Sequence, residues 1–234
     1  MKIKNSHERL FSLWGAIDEQ HNELIASKVT GKRVLDVGCG YGSLVNYLDK
    51  QGFDVEGWDH DPESIKVAHE LFPESPIKLA DAEREEHVGS FDTVILKDSL
   101  HHLAGEGDVQ ASFQNIRRLL NDRGRLVILD PNPMWILRTA RKLASHVDPE
   151  ASCDFAVRLL QEQGFEVRGI QYHEILGLPL SGGYVGLRLV PNWQPLNQLV
   201  ATANASLSRF VNRLGLGSQL CWRYLIHADV RPRA

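Results

Sequence analysis

The chemistry-bearing residues of this 234-residue chain fall into a few short groups. One is Asp36-Val37-Gly38-Cys39-Gly40-Tyr41-Gly42, an acidic residue followed by glycines at alternate positions. Glycine accepts the backbone conformations of a sharp turn and lets a ligand lie against bare main chain. A helical pattern resumes at Leu44, and its first turn would add unpaired N–H groups and a positive dipole end. Such a loop is a seat for a nucleotide-like molecule. A second group begins at Asp59, 21 positions beyond Gly38, with His60 beside it. A carboxylate at that place faces the same cleft and can accept ribose hydroxyls. The third is Lys97-Asp98-Ser99-Leu100-His101-His102. A neutral imidazole with a pKa near ~6.5 can remove a proton from a hydroxyl at cellular pH. His102 is the first candidate for such a base, His101 the second, and Asp98 a candidate orienter.

Each group follows an apolar run of strand length, and helical patterns separate the runs. Strands are expected near 33–37, 54–58, 77–79, 91–96, 126–129, 164–170 and 221–228. This alternation implies an α/β doubly wound, Rossmann-like sheet, whose ligands lie beyond the carboxyl ends of its strands. Residues 1–29 form a helical N-terminal segment that packs on the sheet edge or roofs the site. Its Trp14 and His21 read as core or surface side chains rather than ligand contacts. The helix 109–120 is expected to end in a turn at 121–125. Residues 175–219 are too many for a structureless loop. Their leucines, with Trp193, Phe210 and the turn Gly182-Gly183, suggest a lid that packs through its apolar side chains and forms an acceptor pocket.

The run Leu35-Asp36-Val37-Gly38-Cys39-Gly40-Tyr41-Gly42 resembles the first motif of the class I S-adenosylmethionine (SAM) methyltransferases. In that family the loop cradles the methionine end of the cofactor. Ala80-Asp81-Ala82 matches the place where an aspartate meets the adenine amino group, and the Lys97 to Leu103 segment looks like the fourth motif. The resemblance covers residues 30–174 and the final strand. It implies a seven-stranded sheet with the last strand antiparallel, SAM as cofactor, and S-adenosylhomocysteine as product. It also implies cofactor contacts from Asp36, Gly38, Cys39, Gly40, Asp59, His60, Asp81, Ala82 and Lys97. Asp122-Arg123 departs from the family's proline-glycine before strand five, in a turn remote from the chemistry.

A nicotinamide dinucleotide is the alternative cofactor, but Ser43 stands where its fingerprint wants a third glycine. Metal is not expected. Asp98, Asp130 and Asn132 are oxygen ligands of the kind that suits Mg²⁺, but Pro131 interrupts the adjacent acid-amide pair of the metal-dependent relatives. With a net charge of −4, nothing general attracts nucleic acid or an anionic membrane. A helix face explains the arginines and lysine at 117–125 and 138–142. Three cysteines, odd in number and far apart, point to a reducing, cytoplasmic setting. No run has the length of a membrane span. The expectation is a single-domain methyltransferase of residues 1–234, acting on a small hydrophobic or aromatic acceptor, most simply at oxygen. N- or C-methylation and a non-catalytic SAM-binding protein remain open, and a homodimer is compatible with the sequence.

Overall fold

The computed structural model describes residues 10–81, 91–106, 108–134, 151–181 and 189–232. The helix face expected to carry the basic residues at 138–142, the Gly182-Gly183 turn and Ala82 lie outside the described residues.

The strands are β1 (Arg33–Val37), β2 (Asp54–Asp59), β3 (Ile77–Leu79), β4 (Phe91–Lys97), β5 (Leu120–Pro131), β6 (Phe165–His173) and β7 (Arg223–Val230). They form one sheet in the order β3-β2-β1-β4-β5-β7-β6. β7 runs antiparallel to both β5 and β6, and the pairs from β3 to β5 are parallel. The chain leaves β1 for β2 on one side and returns to β4 on the other. The cleft therefore opens at the ends of β1 and β4.

The period-two alternation of strand side chains decides which residues meet there. In β1, Leu35 and Val37 enter the core shared with α4 (Leu100–Glu106), α5 (Val109–Leu119) and α6 (Cys153–Glu162). Val34 enters the other core, with α1 (Leu13–Ala26), α2 (Ser43–Lys50) and α3 (Pro62–Leu71). Asp36 shares the parity of Val34, and Lys97 shares that of Ile95. Both polar side chains thus face the α1 side. Asp130 has the parity of Leu126 and Ile128 and faces α4 instead.

Expectations change in two places, the sheet and the insertion. The turn at 121–125 is absorbed into β5, which pairs Leu120 with Phe91 and then Arg125 with Thr93 across an irregularity. Asn121 Nδ2 donates to Asp92 Oδ1 at 2.7 Å, and Asp92 Oδ2 accepts from the amides of Lys32 and Arg33. That side chain satisfies backbone groups a regular ladder would have paired. β7 also begins two residues later than expected, at Arg223.

The second change concerns the insertion. It forms α7 (Gly177–Leu180), α8 (Gln194–Arg213) and α9 (Gly217–Leu220). α8 buries Asn197, Ala201, Asn204, Ser208 and Val211, whereas Leu199 and Phe210 are exposed. Its polar face is inward because Asn204 Oδ1 accepts from the amides of Ile175 and Leu176, at 2.8 and 2.9 Å. Asn212 likewise pairs with the Tyr172 backbone. The helix also packs on α1 through Ala201, against Leu13, Ala16 and Ile17.

Replacing Asn204 by alanine leaves two backbone donors without their acceptor, and should destabilise the protein by about 1–3 kcal/mol. Asn204→Asp keeps the acceptor and should cost less. Urea denaturation checks both, and wild-type stability in Asn204→Ala would show that this side chain does not hold α8.

Candidate active site

A cavity of about 720 Å³ opens at the carboxyl ends of β1, β2 and β4. Sites for small ligands and cofactors fall in the range of roughly 300–1,000 Å³. The glycine loop forms its floor, with Gly38, Gly40 and Gly42 at φ values of +74°, +52° and +78°. A Cβ on Gly38 would stand 2.6 Å from Ser99 Oγ, whereas one on Gly40 would meet nothing within 4 Å. Gly38 therefore permits the close approach of the β4 loop, fastened by Ser99 Oγ donating to Val37 O at 2.9 Å. Gly40 offers bare backbone to the cavity.

Four amides of the loop itself are bonded within the protein; the unpaired N–H groups expected from the sequence are those of the helix turn that follows it. The amides of Gly38 and Cys39 donate to Trp58 O at 2.8 and 3.1 Å, and the Gly42 amide to Cys39 O at 2.9 Å. The Gly40 amide donates to Asp59 Oδ2 at 2.8 Å. These four amides are therefore not offered to an anionic group such as a pyrophosphate. A ligand without phosphates does not need them.

The sequence-derived residues converge well. Asp36, Gly38, Cys39, Gly40, Asp59, His60, Asp81, Lys97, Asp98 and His102 all line this cavity. Asp59 is nearly buried, and its second oxygen accepts from the Asp61 amide at 2.9 Å. Asp61 in turn caps α3 by accepting from the amides of Glu63 and Ser64. His101 diverges. Its ring is buried, with Nδ1 2.9 Å from Asp130 Oδ1, while His102 is exposed to the cavity. The two neighbouring rings are 4.2 Å apart at 38°. Asp98 orients elsewhere than expected: its Oδ1 is held by Arg223, whose Nε bonds Glu174 Oε2 at 2.8 Å. Asn132, a candidate metal ligand by type, donates through its amide to the carbonyls of Ser218 and Cys221.

The N-terminal segment roofs the site, one of its two expected placements, and Trp14 lines the cavity rather than serving only as a core or surface side chain. Leu10 and Asp18 beside it were not anticipated, and no described residue of 175–219 lines the cavity. Asp18 accepts from Ser43 Oγ and from Lys97 Nζ, the latter at 2.6 Å, and Asn22 Oδ1 accepts from the same ammonium at 2.6 Å. The available signal was the i, i+4, i+8 spacing of Trp14, Asp18 and Asn22, which share one helix face. Arg223 carried no such signal, because its partners lie far away in sequence.

The electrostatics follow from these positions. Burial opposes ionisation of Asp18, but the Lys97 ammonium outweighs it and holds the carboxyl at about 2. Asp36 has the reverse balance. Burial pushes it up to about 7, Lys97 pulls it down less strongly, and the nearby Asp59 and Asp18 carboxylates add to the rise. Its Oδ1 has no hydrogen-bond partner among the described residues.

With the geometry in place, comparison with known proteins identifies the class. A family model described as a methyltransferase domain matches residues 7–170. The chain belongs to that family. The sheet matches a SAM-dependent methyltransferase from Archaeoglobus fulgidus with a TM-score of 0.64 at 19% identity, covering 97% of this chain and 99% of the other. One from Mesorhizobium loti gives a TM-score of 0.61 at 18% identity, over 93% and 99%. At such identities the likeness is one of fold. Among curated relatives, a ubiquinone biosynthesis O-methyltransferase of Shewanella halifaxensis is 36% identical over 91 residues, 36% of this chain and 39% of the relative. One of Pectobacterium carotovorum is 32% identical over 107 residues, 43% and 44% of the two chains. The chain thus spans about two-fifths of the length of these relatives.

The residues fit the cofactor of this family. Bare backbone at Gly40, a carboxylate at Asp59 and occupied loop amides suit a phosphate-free nucleoside that carries positive charge.

The raised Asp36 pKa has a thermodynamic sign. The folded state holds this proton more tightly than the unfolded chain does, so its stabilising contribution is complete below about pH 4 and declines toward about pH 7. Asp36→Asn should flatten that decline, and its stability relative to wild type should improve from pH 5 to pH 8. Urea denaturation of ligand-free protein measures this. An unchanged slope would mean that Asp36 ionises normally.

Proposed function

We propose that the protein transfers a methyl group from SAM to an oxygen of a small, hydrophobic or aromatic acceptor, with His102 as general base. The observation that carries this reading is a single cavity whose lining combines the bare glycine loop and Asp59 with His102, Leu103 and the apolar Leu10 and Trp14. The occupied loop amides favour SAM over a nicotinamide dinucleotide. The ubiquinone-related relatives, named as O-methyltransferases, support oxygen as the acceptor atom.

When bound, SAM supplies an electrophilic methyl on a good leaving group, so little covalent catalysis is needed. The protein's task is alignment and an unprotonated acceptor. Asp59 would accept the ribose hydroxyls, Asp81 the adenine amino group, and the Gly38–Gly40 backbone would pack against the methionine end. The Asp18–Lys97–Asn22 contacts hold α1, whose Trp14 and Asp18 line the cavity, against the end of β4. His102 Nδ1 or Nε2 would take the hydroxyl proton as the acceptor oxygen attacks.

Asp59→Ala should weaken SAM binding by about tenfold or more, because a charge-assisted hydrogen bond contributes roughly 1.5–3 kcal/mol. Calorimetry measures this, and unchanged affinity would remove Asp59 from the ribose subsite. A nicotinamide dinucleotide should show no saturable binding.

His102→Ala should retain SAM affinity while S-adenosylhomocysteine formation, assayed on a panel of phenols, alcohols and amines, falls by roughly 100-fold. Full turnover in that variant would exclude His102 as the base. Turnover of amines alone would move the reaction to nitrogen. SAM binding without turnover of any acceptor would favour a non-catalytic protein.

A further inference from the structure

The Asp130–His101 pair lies behind the cavity and has no part in the steps above. Asp130 ends β5 fully buried, and His101 is 7% exposed. Asp130 Oδ1 binds His101 Nδ1, and Oδ2 has no hydrogen-bond partner among the described residues. A lone buried carboxylate is costly, and a protonated imidazole is the counterion within reach. The face of that ring lies against the ring of His102, the only one of the two that reaches the cavity.

We propose that His101 and Asp130 are positioning residues for His102: the carboxylate holds His101 as a fixed imidazolium, which sets the His102 ring toward the cavity and keeps it unprotonated at neutral pH. The proposal rests on His102 as the base. It turns the adjacent histidines from rivals for one role into partners with separate roles.

The physical argument is charge and contact. A cation held against the ring disfavours a second proton on His102, the condition a base requires. Burial pushes the Asp130 carboxyl up to about 6, and the His101 hydrogen bond and charge oppose that rise, as a paired carboxylate and imidazolium would. Among the described residues, the nearby cations are paired. Arg223 on β7 engages Asp98 and Glu174, and Lys97 on β4 engages Asp18 of α1. Tyr224 on β7 donates its hydroxyl to Ala151 O. Across the cavity stand Asp36, Asp59, Asp61, Asp81 and His60, whose net negative field pulls protons toward His102. The His101 cation opposes that field at the shortest range.

Histidine ring nitrogens can be followed by long-range ¹H–¹⁵N correlation spectra of the labelled, ligand-free protein between about pH 5 and about pH 9. His102→Gln and His101→Gln supply the assignments. In wild type, His101 should remain doubly protonated to a higher pH than His102. In Asp130→Asn, where His101 loses its counterion and its proton, the His102 midpoint should rise by about half a unit or more. The proposal is overturned if His101 deprotonates below His102 in wild type, or if the His102 midpoint is unmoved in Asp130→Asn. The wild-type measurement decides even if Asp130→Asn does not fold. Because neither readout needs turnover, failure here is separable from failure of His102 as base, which is judged by S-adenosylhomocysteine formation.

Discussion

Lys97 Nζ is the contact on which the site depends. Its ammonium lies between Asp18 Oδ1 and Asn22 Oδ1, both at 2.6 Å, and so fastens α1 to the end of β4. Asp18 then reaches Ser43 at the start of α2. One cation thereby joins the roof, the central strand and the glycine loop. Without it, Asp18 would be a buried carboxylate lacking its counterion, and α1 would lose its polar attachment above the cavity. The same ammonium tempers Asp36, although there burial prevails. A single lysine does not neutralise both acids, and the structure gives it to Asp18.

The parts of the fold governed by local rules were legible in the sequence. Strand alternation placed the sheet, and the glycines located the loop. The cavity then collected the anticipated aspartates because each ends a strand at the same edge. What was not legible depended on distant partners. The irregular start of β5 needs Asn121 to meet Asp92. The inward polar face of α8 needs the irregular backbone at 175–176 and the end of β6. Counting the apolar residues of the insertion therefore could not show that α8 turns Asn197, Asn204 and Ser208 inward beside Ala201 and Val211.

The histidine pair shows the same limit within a single turn. Adjacent residues in a sequence have equal claim to a role, but successive positions on a helix point about 100° apart. α4 turns His101 onto Asp130 and leaves His102 at the cavity. The parity of β5 completes this choice, since Asp130 faces α4 only because it shares a face with Leu126 and Ile128. Asp98, by contrast, adopts a left-handed φ of +56°, and Glu174 one of +70°. Both bind Arg223. Two backbone conformations that cost energy outside glycine are thus stabilised by one guanidinium.

The cavity's charge bears on how binding and release would differ. Among the described residues, Asp18, Asp36, Asp59, Asp61, Asp81 and Asp98 line it; Lys97 is paired with Asp18 and Arg223 with Asp98, so the carboxylates of the lining outnumber these cations. Such a surface favours a cation over a neutral molecule of the same shape. On the proposed reaction the ligand enters with a sulfonium and leaves with a thioether, so the carboxylates would hold the donor more firmly than its product. Attraction to the donor alone would also slow transfer, since stabilising the ground state raises the barrier. Asp36 limits that cost: burial pushes its carboxyl up to about 7, so it supplies less negative charge than its position at the head of the loop would otherwise allow.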